Sequence, residues 1–415
     1  MKSLFDIDRW QEILQTLLQN KTRSLLTAFG IFWGVFMLLL LMGGSEGLRR
    51  MMAKNFDGFA QNSYFIMTGR TSQPYKGFKS GREWSLERSD VLLLKNRVSE
   101  LEVVTPLLGQ WGKAFTFRDK NSSGTLKGMH PEYAQIENPH ISQGRFINEA
   151  DIQQYRKVCV IGKRVNEELF PDMENPCGQF VCIDNVHYQV VGVSKMSSTM
   201  GVMGPAEQSI IIPATTMQRI YNMGNKIEAV CMTVDPGKKV GDVMPKVEQL
   251  VKEAHSIAPD DKKATLSFNM EAMFQMVNNL FEGISLLTWL IGLGTLVSGV
   301  IGVSNIMMVT VRERTVEIGI RRAIGARPSN ILSQILTESM VLTLMAGLSG
   351  ITFSTLLLNG IETIIAATGD EINFQVSFGM AVGSAAALAA LGCLAGIAPA
   401  LRALAVKPID AIRDE

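Results

Sequence analysis

Four long runs of the sequence contain no charged residue. They extend from Ser24 to Ser45, from Gly283 to Val311, between Glu338 and Glu362, and from Ile372 to Leu401. A membrane-spanning helix needs roughly 20 mostly apolar residues to cross about 30 Å of hydrocarbon. Because soluble domains rarely carry four such runs, the sequence predicts an integral membrane protein with four spanning helices.

The stretch between the first two runs, from about Arg49 to Asn279, has the mixed composition of a soluble domain. The pair Asp184–Asn185 separates two apolar runs there and predicts a β-hairpin. The predicted fold class is therefore membrane α-helical, with four transmembrane helices and a large mixed α/β extracytoplasmic domain between the first and second. The predicted strands are Val158–Ile161, Phe180–Ile183, Tyr188–Val193, Ser209–Ile212 and Val230–Val234, and the predicted helices are Ser89–Lys95 and Val243–Ile257.

Positive charge flanks the runs unevenly. An excess of Lys and Arg in short loops marks the cytoplasmic side. We therefore predict cytoplasmic N- and C-termini, an external large domain, and a multi-pass location in a bacterial inner membrane. The basic residues at the inner ends are Lys21, Arg23, Arg312, Arg314, Arg321, Arg322, Arg327, Arg402, Lys407 and Arg413, whereas the loop after the third run carries Glu362, Asp370 and Glu371.

These patterns divide the chain into nine predicted segments. Residues 1–22 form an amphipathic helix on the inner membrane surface or, alternatively, a docking helix for a soluble partner. The remaining segments are spans at 23–48, 280–311, 329–360 and 374–401, an external domain with helical stalks at 49–279, a cytoplasmic coupling segment at 312–328, a short periplasmic loop at 361–373 and a cytoplasmic tail at 402–415.

The sequence shows no pattern typical of a catalytic, cofactor or metal site. Each Gly-Lys pair (Gly112–Lys113, Gly162–Lys163, Gly237–Lys238) lacks the Ser or Thr that completes a phosphate-binding P-loop. We therefore expect no cofactor in this chain and, if ATP drives the protein, a separate ATPase chain. The net charge of +1 gives no reason to expect a nucleic-acid partner.

Four of the five cysteines fall in the predicted external domain. They are Cys159, Cys177, Cys182 and Cys231. An oxidising compartment permits disulfides, but buried free thiols fit their apolar surroundings equally well. The sequence leaves their state open.

The strongly polar candidates inside the predicted spans are Glu338, Asn305 and Asn359. Glu338 is the only charge well placed within a span, and we expect it to face a dimer interior or to pair with a neighbouring helix, with Asn305 as the candidate partner. The alternative is that Glu338 extends to the inner surface and has no role. These three residues are too few for a proton relay.

Small residues recur at four-residue spacing in the first, second and fourth spans, as in helices that pack closely in membranes. Gly43 and Gly47 in the first span and Gly392 and Gly396 in the fourth show this spacing. The alternative is chance, since membrane helices are rich in glycine. These candidate packing residues are Gly30 and Gly34 in the first span and Gly294, Ser298 and Gly302 in the second.

Helical spacing of apolar residues continues beyond the outer ends of the first two spans. We predict that these extensions form stalks, which pack together and join the external domain to the membrane. The stalk residues are Leu48, Met52 and Phe56 after the first span and Met270, Phe274 and Val277 before the second.

The segment from Arg312 to Arg327 has the pattern of a short amphipathic helix on the inner membrane surface. Its spacing predicts a buried face of Val316, Ile320 and Ile324, with Arg314, Glu317 and Arg321 toward water. A plain positively charged loop is the alternative.

This segment, read with Asn305 and its neighbours, resembles the link between the second and third spans of the MacB/FtsX-like permease family of ABC transporters. The ending from Pro399 to Arg413 and the entry from Asn20 to Thr27 resemble that family too. So do three motifs of the external domain, Gly144-Arg-Phe, Val160-Ile-Gly and Val191-Gly-Val.

The resemblance implies a dimer with a second permease copy or homologue, a cytoplasmic ABC ATPase carrying ATP and magnesium, and movement passed through the stalks. It implies MacB-type tripartite efflux with a periplasmic adaptor and an outer-membrane channel. Lipoprotein release as in LolC and LolE, or FtsX-like signalling to a periplasmic partner, are the alternatives. The predicted ATPase-coupling residues are Arg312, Glu313, Arg314, Glu317, Gly319, Arg321, Arg322, Gly325 and Arg327.

Overall fold

A computed structural model describes residues 21–56, 58–195, 201–366, 374 and 378–405. The chain divides into two compact units. One is Met52–Asn279, and the other combines Met1–Met51 with Leu280–Glu415. Most of the predicted surface helix at 1–22 and of the tail at 402–415, and much of the loop at 361–373, lie outside the described residues.

The helices account for most of the membrane unit. Four of them are long and apolar enough to cross a membrane, which confirms the predicted fold class. The helices are α1 (Lys21–Asn55), α2 (Arg88–Arg97), α3 (Glu149–Gln153), α4 (Lys163–Leu169), α5 (Ala214–Ile220), α6 (Val240–Ala254), α7 (Met270–Glu313), α8 (Thr315–Ala323), α9 (Pro328–Ala366) and α10 (Phe378–Leu404). The spanning helices are α1, α7, α9 and α10.

The external unit contains the strands. They are β1 (Ser63–Thr68), β2 (Leu86–Glu87), β3 (Leu101–Phe117), β4 (Lys120–Met129), β5 (Ile141–Gly144), β6 (Val158–Ile161), β7 (Phe180–Ile183), β8 (Val186–Ser194), β9 (Ser209–Pro213), β10 (Lys226–Ile227), β11 (Ala229–Val234) and β12 (Thr265–Asn269). Among the described residues, ten of them form one sheet in the order β12-β1-β11-β3-β4-β9-β6-β8-β5, with β7 paired to β3 and β8.

The predicted hairpin at Asp184–Asn185 is confirmed. β7 and β8 pair antiparallel on either side of this turn. Both turn residues have positive φ, +47° and +65°, which Asn and Asp tolerate and which matches the twist of a two-residue hairpin. The longer β3–β4 hairpin was not predicted, because its strands mix Gly, Lys and Ser with apolar residues and break the alternation.

The three external motifs meet at β8. Gly144 lies opposite Gly192, and Val160 on β6 also pairs with Gly192. A side chain at Gly192 would strike the backbone of Arg145, and one at Gly144, whose φ is +75°, would strike Val191. Glycine is therefore required where β5 and β6 approach β8 on both sides.

Arg145 fixes this junction through a buried carboxylate. Its guanidinium donates to both oxygens of Asp151, at 2.6 and 3.1 Å, and the Asp151 side chain is fully buried. The same carboxylate accepts from the backbone N–H of Asn148, which caps α3. Burial alone would raise the pKa of Asp151, but these hydrogen bonds and the charge of Arg145 bring that pKa below its usual value.

A second polar cluster is buried beneath β4. The Lys127 side chain donates to the carbonyl of Gly204 at 2.8 Å, and the Tyr133 hydroxyl donates to Glu137 at 2.7 Å. Lys127 and Glu137 line one small cavity. Burial raises the pKa of Glu137 and lowers that of Lys127, although each charge attracts the other.

The Glu137 carboxyl makes stability depend on pH. Because its pKa is higher folded than unfolded, the folded state binds more protons above the unfolded pKa, and stability falls as pH rises through that window. Glu137→Gln keeps an acceptor for Tyr133 and removes the titration. We expect its midpoint of thermal unfolding to match wild type near pH 4 and to exceed it increasingly toward about pH 8.

The control for this prediction is Glu102→Gln, an exposed position on β3 of the same unit. It should follow the wild-type curve at every pH. A Glu137→Gln variant that unfolds at lower temperature than wild type at neutral pH would show that the ionised carboxylate stabilises the fold.

In the membrane unit, α1 and α7 pack antiparallel along a seam of small residues. A side chain at Gly34 would touch Thr295, one at Gly292 would meet Leu38, and one at Gly299 would meet Ile31. We call this set, Ile31, Gly34, Leu38, Gly292, Thr295 and Gly299, the α1–α7 seam.

Most of the predicted packing residues lie elsewhere. Of that set, Gly34 lies in the seam, whereas a side chain at Gly30, Gly294 or Gly302 would meet open space within this chain. Ser298 is exposed. A second row of small residues on α7 makes the contact with α1, and helix packing by the predicted row stays a prediction.

The predicted stalk residues fall at the ends of α1 and α7. The rings of Phe56 and Phe274 lie 4.9 Å apart. Met270 is buried in the same apolar cluster and Val277 packs against it, whereas Leu48 is exposed. Met52 is half-buried.

The cysteines of the external unit are free thiols in this structure. Cys159 and Cys231 are buried, and Cys177 and Cys182 are partly buried. Burial raises the pKa of Cys159 and Cys231 well above the usual range for a thiol, so both stay protonated.

Candidate coupling site

The predicted coupling segment forms α8, set off from α7 and α9 by two breaks. α7 ends at Glu313, and Arg314 forms the turn before Thr315 begins α8. After α8, Gly325 has φ of +100°, a conformation that glycine adopts without strain. Pro328 then begins α9, where its missing N–H costs nothing.

A buried ion pair joins the start of α8 to α9. Arg314 Nη1 lies 3.3 Å from Glu338 Oε1, with 5% of the Glu338 side chain and 23% of the Arg314 side chain exposed. The expected pairing of Glu338 with Asn305 is wrong, since Asn305 lies exposed on α7. Arg314 is close in space, 24 residues earlier in the chain.

Two further arginines join α8 to the spans. Arg321 donates to Gln334 on α9 at 3.2 Å and to Glu317 on α8 at 2.7 Å. Arg322 donates to the carbonyl of Leu404 at 2.8 Å. That carbonyl belongs to the last turn of α10, where a cation satisfies an unpaired acceptor and the helix dipole. α8 is therefore held by both α9 and α10.

The predicted faces of α8 need correction. Ile318 and Gly319 are the buried residues, and Ile318 packs among Val311, Ile331 and Ile335. Val316, Ile320 and Ile324, the predicted membrane-facing residues, are 46%, 45% and 82% exposed within this chain. Arg314 and Arg321, expected to face water, line a narrow cleft against α9 with Glu317. The arginines turn inward because Glu338 and Gln334 offer acceptors there.

The remaining predicted coupling residues are placed around this core. Arg312, Glu313 and Arg327 are exposed at the two ends of α8, and Glu317 is exposed in its first turn. The three residues that sequence reasoning missed are Gln334, Leu404 and Ile318. An amphipathic phase for α8 that put Ile318 inside would have identified Ile318, whereas Gln334 and Leu404 are acceptors on other helices and gave no such signal. No three His, Cys, Asp or Glu residues within the described part lie close enough together to hold a metal ion.

Two family models cover these regions. A MacB-like periplasmic core domain matches residues 24–250, more than half of the chain, and an FtsX-like permease C-terminal domain matches residues 289–408, which include α8 and its partners. The chain belongs to the MacB/FtsX-like ABC transporter permease family. The resemblance seen in the sequence is thereby confirmed, and this permease is a multi-pass protein of a bacterial inner membrane.

Individual relatives match over nearly the whole chain. The macrolide export ATP-binding/permease protein MacB of Bdellovibrio bacteriovorus is 32% identical over 99% of this chain and 62% of its own length. The pyoverdine export ATP-binding/permease protein PvdT of Pseudomonas fluorescens is 29% identical over 99% of this chain and 60% of its own length. This permease spans about three-fifths of the length of these curated relatives.

A solved structure also aligns with the external unit. The crystal structure of the periplasmic region of MacB from Actinobacillus actinomycetemcomitans covers 54% of this chain and 96% of its own, with 22% identity and a TM-score of 0.43.

Proposed function

We propose that this permease works as one half of a dimeric ABC exporter of the MacB type. A cytoplasmic ABC ATPase on another chain binds ATP and magnesium and contacts α8. Both termini lie in the cytoplasm. ATP-driven approach of the two ATPases moves α8, and the spans pass that movement to the external domain. A periplasmic adaptor and an outer-membrane channel complete the export path.

The observation that supports this proposal best is the attachment of α8. Three arginines join it to α9 and α10 through Glu338, Gln334 and the carbonyl of Leu404. A segment held in this way moves together with the spans instead of swinging independently. At its other end α8 follows directly on α7, a single helix of 44 residues, about 66 Å long at 1.5 Å per residue.

The exposed side of α8 supplies the contact surface. Val316, Ile320 and Ile324 lie on one face, with Glu317 beside them. An apolar strip with a charged border is the arrangement typical of a protein interface core and rim. Because Arg314, Arg321 and Arg322 are engaged within the chain, the strip replaces them as the principal ATPase contact.

Ile320→Glu tests this contact. A carboxylate at the centre of the strip would be desolvated on docking, so we expect co-purification with the cognate ABC ATPase to fall at least about tenfold, while the permease remains in the membrane. Asn330→Glu is the matched control, because it adds the same charge at an exposed position at the start of α9. Equal retention of the ATPase by the two variants would place the contact away from α8.

A further inference from the structure

The outer end of the α1–α7 seam differs from the rest of it. Along the seam, glycines let the two helices touch. Beyond it, in the direction of the external domain, the helices enclose a cavity of about 100 Å³. Its lining residues are Met42, Ser45, Glu46, Arg49, Phe281, Ser285 and Thr288. We call this cavity the outer seam pocket.

The pocket lies at the level of lipid headgroups. Glu46 is separated by about 35 Å of helix from Arg23, and Ser285 by about 40 Å from Arg312, at 1.5 Å per residue. Both arginines mark the opposite end of the spans. Since the hydrocarbon layer is about 30 Å thick and the headgroup layers add several ångströms on each side, the pocket opens just outside the hydrocarbon, on the side of the external domain.

The pocket carries both charges and two available hydroxyls. No described residue forms an ion pair with Arg49, and the hydroxyls of Ser45 and Ser285 make no hydrogen bond within the described chain. Glu46 pairs with Arg50 at 3.2 Å, but both side chains are well exposed. An exposed pair of this kind contributes little and is readily exchanged for another cation.

The arrangement of charges matches one class of ligand. Glu46 and Arg49 are three residues apart on α1, so their side chains leave the same face of the helix about 5–6 Å apart. Guanidinium binds phosphate through two parallel hydrogen bonds, and a carboxylate binds an ammonium. The buried ring of Phe281 and the half-buried Met42 form the apolar wall, against which a glycerol backbone can lie.

We propose that the outer seam pocket binds the headgroup of a zwitterionic phospholipid of the outer leaflet, with Arg49 and the serines on its phosphate and Glu46 on its ammonium. Such a lipid would fill the gap left where α1 and α7 separate. An anionic phospholipid would satisfy Arg49 but place its uncharged glycerol next to Glu46. The site is independent of the ATPase contact proposed above, and neither depends on the other.

Lipid retention by the purified full-length permease tests the site. The protein is stripped of lipid in non-ionic detergent, mixed with equal amounts of phosphatidylethanolamine and phosphatidylglycerol, and examined by native mass spectrometry. We expect about fivefold more phosphatidylethanolamine to be retained, as one added charge contact would give. Free phosphoethanolamine at the same concentration should not displace it. Displacement would show that the pocket recognises a soluble headgroup instead of a lipid.

Three substitutions separate the contributions of Arg49 and Glu46 to lipid binding. Arg49→Gln should lower retention of both lipids about tenfold, whereas Arg50→Gln, the same change one residue further on, should not lower it, because it removes only the cation that competes for Glu46. Glu46→Gln should abolish the preference between the two lipids without abolishing binding. The proposal is overturned if wild type retains both lipids equally, or if Arg49→Gln and Arg50→Gln lose lipid to the same extent. These side chains are exposed or half-buried, so folding should not be affected.

Discussion

Arg314→Ala should destabilise the membrane unit by about 3–5 kcal/mol, because it removes the guanidinium that lies 3.3 Å from the buried Glu338 carboxylate. Removing one member of a buried ion pair costs more stability than the intact pair contributed. Glu338→Gln should cost less, since its amide oxygen still accepts from Arg314. The measurement is the midpoint of thermal unfolding of the full-length permease in detergent.

The matched control removes both charges. An Arg314→Met, Glu338→Met variant removes both members of the pair together, so its stability should return to within about 1 kcal/mol of wild type. If this double variant also kept full ATP-driven export, the pair would serve stability alone, and α8 would not need it to move with α9. A double variant no more stable than Arg314→Ala would mean that the cleft tolerates no apolar side chain.

Asp151→Ala should destabilise the external unit where β5 and β6 pair with β8. The substitution removes the acceptor for the Arg145 guanidinium and for the Asn148 N–H at once. We expect the free energy of unfolding to fall by about 3 kcal/mol. This is at the low end for a buried ion pair, because the Arg145 side chain is 40% exposed and can turn to water. Because about 1.4 kcal/mol corresponds to a tenfold change in an equilibrium constant, amide hydrogen exchange in β5, β6 and β8 should become more than a hundredfold faster.

Glu149→Ala is the matched control for this experiment. Glu149 is exposed and lies on the same short helix, so its removal should change exchange less than about threefold. Because the native Asp151 pKa is below its usual value, the Asp151 contribution is present above the unfolded pKa and is lost as pH falls through the folded one. Wild type and Asp151→Ala should therefore converge in acid. If the stability difference between wild type and Asp151→Ala were as large at acid pH as at neutral pH, the contribution of Asp151 would not come from its charge.

Much of the membrane organisation follows from local composition. Uncharged runs longer than the hydrocarbon layer have to span it, and the arginines that flank them predict which ends share a side. The stretch between Arg49 and Asn279 is too polar to span, so it had to fold separately. The Asp184–Asn185 hairpin could likewise be predicted from the sequence, because its turn depends on two adjacent residues.

Only the tertiary structure decided which faces meet. A run such as Gly283–Val311 is apolar on every side of the helix, so its sequence does not indicate which side packs against another helix. Whether the row containing Gly292 or the row containing Gly294 makes the contact depends on the neighbouring helix. The same holds for α8. Its pattern is amphipathic, but whether Ile318 or Ile320 turns inward depends on acceptors supplied by α9 and α10, such as Glu338. Sequence therefore determines what must lie in the membrane, and contacts between residues distant in the chain determine how those parts bind one another.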